Sequence, residues 1–226
     1  MTKGALPLLF LGVVAASCVA SAASKLPSLR AQRWVNSQAL TPEGLRGKVV
    51  LVDFWEYTCV NWIRTAPYVK AWNRDYASLG LAVIGVHAPE FEFGKAVDNI
   101  DRGIRDHGLT YPIAIDNDFA IWRAFGNDAW PAKYLFDAEG RLARRWVGEG
   151  SYDEIEREIR RLLIAAQPGS QLPAVSELIS TFAKTGQPSY AGITNESYIG
   201  AERREPGAVT LKGDWHTDRQ CVNSRR

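Results

Sequence analysis

The segment Asp53-Phe54-Trp55-Glu56-Tyr57-Thr58-Cys59-Val60-Asn61-Trp62 places a thiol, two carboxyl groups and two indoles within ten residues. It lies where an apolar, strand-like run gives way to a helical pattern. A cysteine at the mouth of a helix meets unsatisfied backbone N–H groups and the positive end of the helix dipole, and both favour thiolate over thiol. The dipole contributes ~0.3–1 kcal/mol when exposed and up to ~2 kcal/mol when partly buried, equivalent to about one pKa unit or slightly more. Cys59 is therefore expected to titrate below the ~8.5 of a free cysteine and to act as a nucleophile. The alternative is a small buried apolar residue, the common fate of cysteine side chains.

The surrounding elements must hold that thiol. Residues 49–55 form a nearly continuous apolar run, as expected of a strand covered on both faces. Val69, Trp72, Tyr76 and Leu79 recur at helical spacing, and Gly80 is a natural stop. Residues 82–86 read as a second buried strand, so the intervening helix is a right-handed crossover between parallel strands. Residues 91–106 read as one helix, 111–115 as a short strand and 119–125 as helical. Residues 133–137 and 142–147 flank Ala138-Glu139-Gly140 as a hairpin. Ser151 and Glu154 have capping-box spacing, and Ile155, Ile159, Leu162 and Ala166 line one helical face that Pro168-Gly169 ends. Residues 34–48 read as an extended lead-in with a turn at 41–44. The predicted fold class is α/β, a central mixed sheet with helices on both faces, parallel in its first half and a hairpin in its second.

The ends of the chain differ in texture. Lys3, the apolar run of residues 5–20 and Ala20-Ser21-Ala22 make an export signal over residues 1–22, too short for a comfortable membrane span. Periplasmic or secreted placement follows, with no stable transmembrane segment after cleavage. Alternatives are an uncleaved anchor, or a lipoprotein through Cys18, although Ala15 stands where such signals carry Leu. Residues 23–167 form the domain, and 168–226 a C-terminal appendage poor in apolar periodicity. Of the three cysteines, cleavage leaves Cys59 and Cys221, paired or free. The net charge of +2 on 226 residues, with dispersed basic residues, argues against nucleic acid as a partner. His87, His107 and His216 lack ligand spacing, so no metal is expected, and no cofactor.

Residues 50–67, 84–93 and 130–150 resemble the exported thioredoxin-like proteins of the TlpA/DipZ type. Trp55 stands four before Cys59, as in their Trp-x-x-x-Cys-x-x-Cys segment. Asp53 matches the buried acid that handles protons for the inner cysteine, Pro67 the proline in the active-site helix, and Trp130-Pro131 the cis-proline loop facing the nucleophile. Residues 85–91 resemble the start of the insertion typical of the DipZ-like group. The resemblance, spanning about residues 33–166, implies a thioredoxin-like three-layer sandwich. Residues 195–200 and 211–215 are similar to the opening of the carbohydrate-binding-like β-domain that follows in DipZ-type proteins, here cut short.

One departure matters: the second, resolving cysteine is replaced by Trp62. The resemblance then implies a single attacking cysteine, with a mixed disulfide resolved by a small external thiol or by Cys221. Expected partners are protein disulfides or thiols. Asp53 serves as a supporting buried acid with a raised pKa. Trp55, Tyr57, Trp62, Trp130 and Pro131 are expected to form the substrate groove. Two other readings stand beside it: a non-redox thioredoxin-fold binding module, with Trp62 filling the space, and a one-cysteine peroxidase. The latter lacks its Pro-x-x-x-Thr-x-x-Cys motif, since Val52 and Glu56 occupy those places.

Overall fold

A computed structural model describes residues 24–185, together with the backbone of two strands, Asp214–Thr217 and Val222–Arg225. The export signal, Cys18, Cys221 and most of the appendage, including residues 195–200, lie outside the described residues.

Strand β1 spans Arg33–Val35, β2 Val49–Trp55, β3 Leu81–His87, β4 Ile113–Ile115, β5 Ala132–Phe136 and β6 Leu142–Val147. They form one sheet in the order β1-β4-β3-β2-β5-β6. β2 pairs parallel with β3 and antiparallel with β5, so the expected parallel half and hairpin half meet on one central strand. All seven residues of β2 are buried. Leu51 and Trp55 face one core with helices α1 (Val60–Tyr76) and α4 (Tyr152–Ala166). Val50, Val52 and Phe54 face the other. This two-sided burial explains why the run is continuous rather than alternating. Fully burying each such apolar side chain contributes ~1.5–3 kcal/mol, which holds β2 firmly enough to carry Asp53 within it.

α1 buries Val69, Trp72 and Tyr76 as the spacing predicts, with Pro67 inside it. A 3-10 turn over Ala77–Leu79 follows, and Gly80 closes it at φ 101°, a left-handed conformation that favours glycine. The helix expected over 91–106 is broken. Glu92–Lys95 form a 3-10 turn, Ala96 is extended, and α2 runs Val97–Asp106. Gly94 packs against Pro89, where a Cβ would stand 3.1 Å from the proline Cβ, and this local contact interrupts the helical period. β4 starts two residues later than expected because Pro112 has no N–H to give the ladder.

The capping box at Ser151 does not form. Ser151 is left-handed (φ 52°) and makes no side-chain cap, because Glu154 turns instead to Arg144 (2.5 Å) and Trp146 Nε1 (3.3 Å). α3 is the short helix Ala120–Ala124. Beyond α4, α5 (Glu177–Thr185) contributes Ile179 to the same core as Leu162 and Leu163. β7 (Asp214–Thr217) and β8 (Val222–Arg225) pair antiparallel. Among the described residues no helix is long and apolar enough to cross a membrane.

Candidate active site

Cys59 is the N-cap of α1, immediately after the turn that leaves β2. Glu56 builds that turn. Its side chain is fully buried, and Oε2 accepts from the Thr58 N–H at 2.7 Å and from the Thr58 hydroxyl. The Cys59 N–H donates to the Glu56 carbonyl at 3.2 Å. The half-buried sulfur is thereby aimed across the sheet end, where Sγ lies 3.9 Å from the Trp130 carbonyl as donor. The Trp130–Pro131 peptide is cis, as the resemblance implies. The thiol and the proline loop therefore face each other.

The expected fall in the Cys59 pKa is not what this setting produces. Burial is the largest influence and pushes the thiol up. The N–H groups of Trp62 and Asn61 pull the other way, but Glu90 and Glu56 add to the rise. The helix end, with its dipole and its free N–H groups, was the influence visible from sequence. Desolvation and two carboxylates outweigh it here. At neutral pH the sulfur is accordingly held as thiol.

Beneath it lies a buried polar group of three. Asp53 is fully buried, and its carboxyl is raised to about 6 by desolvation, against the opposing effects of Lys133 and Trp62. Trp62, also fully buried, donates from Nε1 to Asp53 Oδ2 at 2.9 Å and packs on Trp55 with ring centroids 4.7 Å apart. Asp53 Oδ1 lies 4.0 Å from Lys133 Nζ, and neither side chain is exposed at all. Sequence reasoning missed Lys133. The available signal was a lysine inside the run Ala132–Phe136, every residue of which is buried. It also missed Glu56 as the residue that sets the turn.

The five residues expected to line a substrate groove lie at different depths. Tyr57 and Trp130 are half-buried beside Cys59, and Pro131 is buried behind the Trp130 carbonyl. Tyr57 stacks on His87 at 5.8 Å and donates its hydroxyl to the Phe93 carbonyl at 3.2 Å. Its close seat against α2 requires Gly103, where a Cβ would stand 2.6 Å from Tyr57 Cβ. Trp130 Nε1 donates to the Ala88 carbonyl at 2.9 Å. Trp55 and Trp62, by contrast, show no surface, which corrects their placement in an open groove. Exposed apolar side chains nearby in the chain are Val60 and Ile63 on α1, and Phe93, which packs edge-on to Tyr57.

The histidines are packing elements. His87 is buried edge-on to Trp55, with neither ring nitrogen hydrogen-bonded among the described residues, and burial lowers its pKa to about 3. His107 lies edge-on to Trp62 at 5.1 Å, with Nε2 3.2 Å from the Tyr57 carbonyl. Among the described residues no three His, Cys, Asp or Glu side chains converge as metal ligands. A cavity of about 660 Å³ lined by Leu29, Trp34, Leu40 and Val50 sits at the opposite end of β2 from Cys59, away from the thiol.

The Redoxin family model matches residues 21–160. The chain is 44% identical over 170 residues to Protein DipZ of Mycobacterium tuberculosis, an alignment covering 74% of this chain and 24% of that protein. It thus spans about a quarter of that relative's length. It is 29% identical over 139 residues to thiol-disulfide oxidoreductase YkuV of Bacillus subtilis, covering 61% of this chain and 93% of that one. The solution structure of a thioredoxin-like protein in its oxidised form superposes with a TM-score of 0.58. Identity there is 30%, covering 64% of this chain and 98% of that one.

Proposed function

The chain belongs to the Redoxin family, and on that premise we propose that it is an extracytoplasmic thiol–disulfide oxidoreductase working with a single cysteine. Residues 1–22 would direct export, residues 23–167 would carry the reaction, and 168–226 would be an appendage. The observation that carries the reading is the approach of Cys59 Sγ to the Trp130 carbonyl, beside the cis-proline, at the N-terminus of α1.

The Cys59 thiolate attacks one sulfur of a substrate disulfide. A new bond to Cys59 forms, the substrate S–S bond breaks, and one substrate sulfur leaves as a thiolate. In a two-cysteine protein the second thiol then displaces the product. Here Trp62 stands at that place, with its indole N–H committed to Asp53. An external thiolate therefore attacks the mixed disulfide, freeing Cys59 and carrying the substrate sulfur away in a new disulfide. Protein disulfides are the substrate class, and a small thiol such as glutathione is the resolving partner. Tyr57 and Trp130 would flank the incoming chain.

One observation favours a second reading, a binding module without redox turnover: burial pushes the thiol up and so withholds the nucleophile at neutral pH. Reduction of insulin disulfides with glutathione present separates the two. Turnover by the wild type that Cys59→Ser abolishes supports the oxidoreductase. Activity equal in wild type and Cys59→Ser, but gained by Trp62→Cys, supports the binding module.

A further inference from the structure

The carboxyl group of Asp116, the residue after β4, is fully buried and has no part in the site described so far. Its own N–H donates at 2.9 Å to the carbonyl of His87 at the end of β3, which ties it to the sheet. Oδ1 accepts from the Ile121 N–H at 2.9 Å, and Oδ2 from the Trp122 N–H at 2.7 Å. Both donors lie in α3, a helix of five residues that is too short to hold its own shape. Its entry is strained as well. Phe119 is left-handed at φ 58°, rare for a bulky aromatic residue, and its N–H donates to the Asp116 carbonyl at 3.0 Å. Strain of this kind persists only where surrounding contacts over-determine it, and it clusters at functional sites. Asp116 supplies three of those contacts, and Asp118 adds one to the Ala120 N–H at 3.2 Å.

What α3 positions is an indole. Trp122 packs on Trp130 with ring centroids 4.3 Å apart, and meets Phe54 of β2 and Phe119 edge-on at 5.7 and 5.9 Å. Trp130 is gripped a second time, where its Nε1 donates to the Ala88 carbonyl at 2.9 Å. Its own carbonyl lies 3.9 Å from Cys59 Sγ and is the acceptor for the thiol. An unbroken line of contacts therefore runs from a buried carboxylate, through a short helix and two indoles, to the sulfur. The charges that act on the sulfur directly lie elsewhere: Glu56 in the turn before α1, Glu90 after β3 and Lys133 on β5.

We propose that Asp116 and Trp122 are positioning residues for Cys59: Asp116 fixes α3, α3 sets Trp122 against Trp130, and Trp130 so held keeps its carbonyl on the thiol. That carbonyl accepts from the S–H and has nothing to offer a thiolate, so a firm contact favours the protonated sulfur. Loosening the Trp122–Trp130 contact removes the acceptor and admits water to the half-buried sulfur, and both changes favour thiolate. The reactivity of Cys59 is thereby set from a part of the chain outside its own turn. This inference rests on Cys59 being the attacking group.

The test is alkylation by iodoacetamide, a neutral reagent, in the exported full-length protein, read at Cys59 by peptide mass spectrometry. It runs from pH 7 to pH 10, where Asp116, raised to about 6, is ionised. Trp122→Ala and Asp116→Ala each lower the alkylation midpoint and speed the reaction at pH 7 about threefold or more. Phe125→Leu, which trims a ring packed on Phe54, Tyr134 and Phe136, leaves both unchanged. Loss of the Asp116 charge alone would add to the effect of Trp122→Ala, whereas action through α3 does not. In the Trp122→Ala background, Asp116→Ala therefore changes the rate by less than about twofold. Additive effects, slower alkylation in either variant, or an equal shift in Phe125→Leu overturns the proposal. A wild-type measurement keeps the test if a variant fails to fold. Once iodoacetamide has modified Cys59, the adduct crowds the Trp130 carbonyl. Amide hydrogen exchange at Ile121 and Trp122 then speeds about fivefold or more, while that at Ile84 on β3 does not change. Unchanged exchange in α3 is equally fatal. Both measurements read the sulfur and the helix whether or not disulfides are exchanged. Loss of glutathione-dependent turnover with these results intact therefore sinks the oxidoreductase reading alone.

Discussion

Trp62 Nε1 is held 2.9 Å from Asp53 Oδ2 with both side chains fully buried, so the residue three positions after Cys59 is bound to the acid beneath it. The contact makes Trp62 a donor to a buried carboxylate as well as a filler of space.

Trp62→Phe keeps most of the ring volume and removes the donor, leaving the Asp53 oxygen unsatisfied at a cost of ~1–3 kcal/mol. Asp53 is raised to about 6, and losing a hydrogen bond to its anion raises it further. The cost is therefore full above that value and shrinks as the carboxyl protonates on going to pH 5. Urea unfolding of both proteins at pH 7.5 and pH 5 checks this. An identical difference at the two pH values contradicts it.

The Cys59 alkylation midpoint in the wild type is expected above ~8.5, the free-thiol value. Glu90 adds to that rise, so Glu90→Gln brings the midpoint down. Rates of iodoacetamide reaction from pH 6 to pH 10 give both numbers, and a wild-type midpoint below the free-thiol value would refute the dominance of burial.

His87 has a folded pKa of about 3 against 6.5 when exposed. The unfolded chain therefore binds the proton more readily between those values, and stability present above pH 6.5 is lost as the pH falls toward 3. At pH 5 this amounts to ~2 kcal/mol. Asp53 and Asp116, both raised to about 6, act in the opposite direction over part of the same window. The comparison with His87→Phe isolates the histidine: the difference in unfolding free energy should shift in favour of the variant by ~2 kcal/mol between pH 7 and pH 5. A constant difference rules the histidine out as the source.

Gly103→Ala puts a methyl group 2.6 Å from Tyr57 Cβ, close to backbone that moves only with the turn before Cys59. Overpacking of this kind costs ~1–3 kcal/mol. Thermal unfolding should show the loss, and glutathione-dependent turnover should fall with it because Tyr57 is displaced. Unchanged melting would mean that α2 yields freely.

Much of the framework was legible in the residues. The unbroken apolar run of 49–55 announces a strand buried on both faces, and Cys59 falls at its junction with a helix. Pro131 was placed opposite the sulfur by resemblance, and it lies there with a cis bond. Lys133 was not legible: its burial arises from the pairing of β5 with β2, separated by about eighty residues, and a lysine in a hairpin strand ordinarily faces water. The Cys59 pKa failed for a related reason. The helix end is a local property of sequence, whereas desolvation and the approach of Glu90 depend on the folded chain. Ser151 shows a local rule overridden, since its partner Glu154 finds Arg144 and Trp146 on the neighbouring strand.

Two tilted indole pairs include neighbours of Cys59: Trp55 with Trp62, three positions along α1 from the sulfur, at 4.7 Å, and Trp122 with Trp130, whose carbonyl meets Sγ, at 4.3 Å. Rings so close couple their electronic transitions, and a sulfur–sulfur bond formed beside them is an effective quencher of excited indole. On the proposed reaction the protein would carry its own optical gauge: a bond made at Cys59 would change its ultraviolet emission, so that capture and release would be timed without attaching a dye.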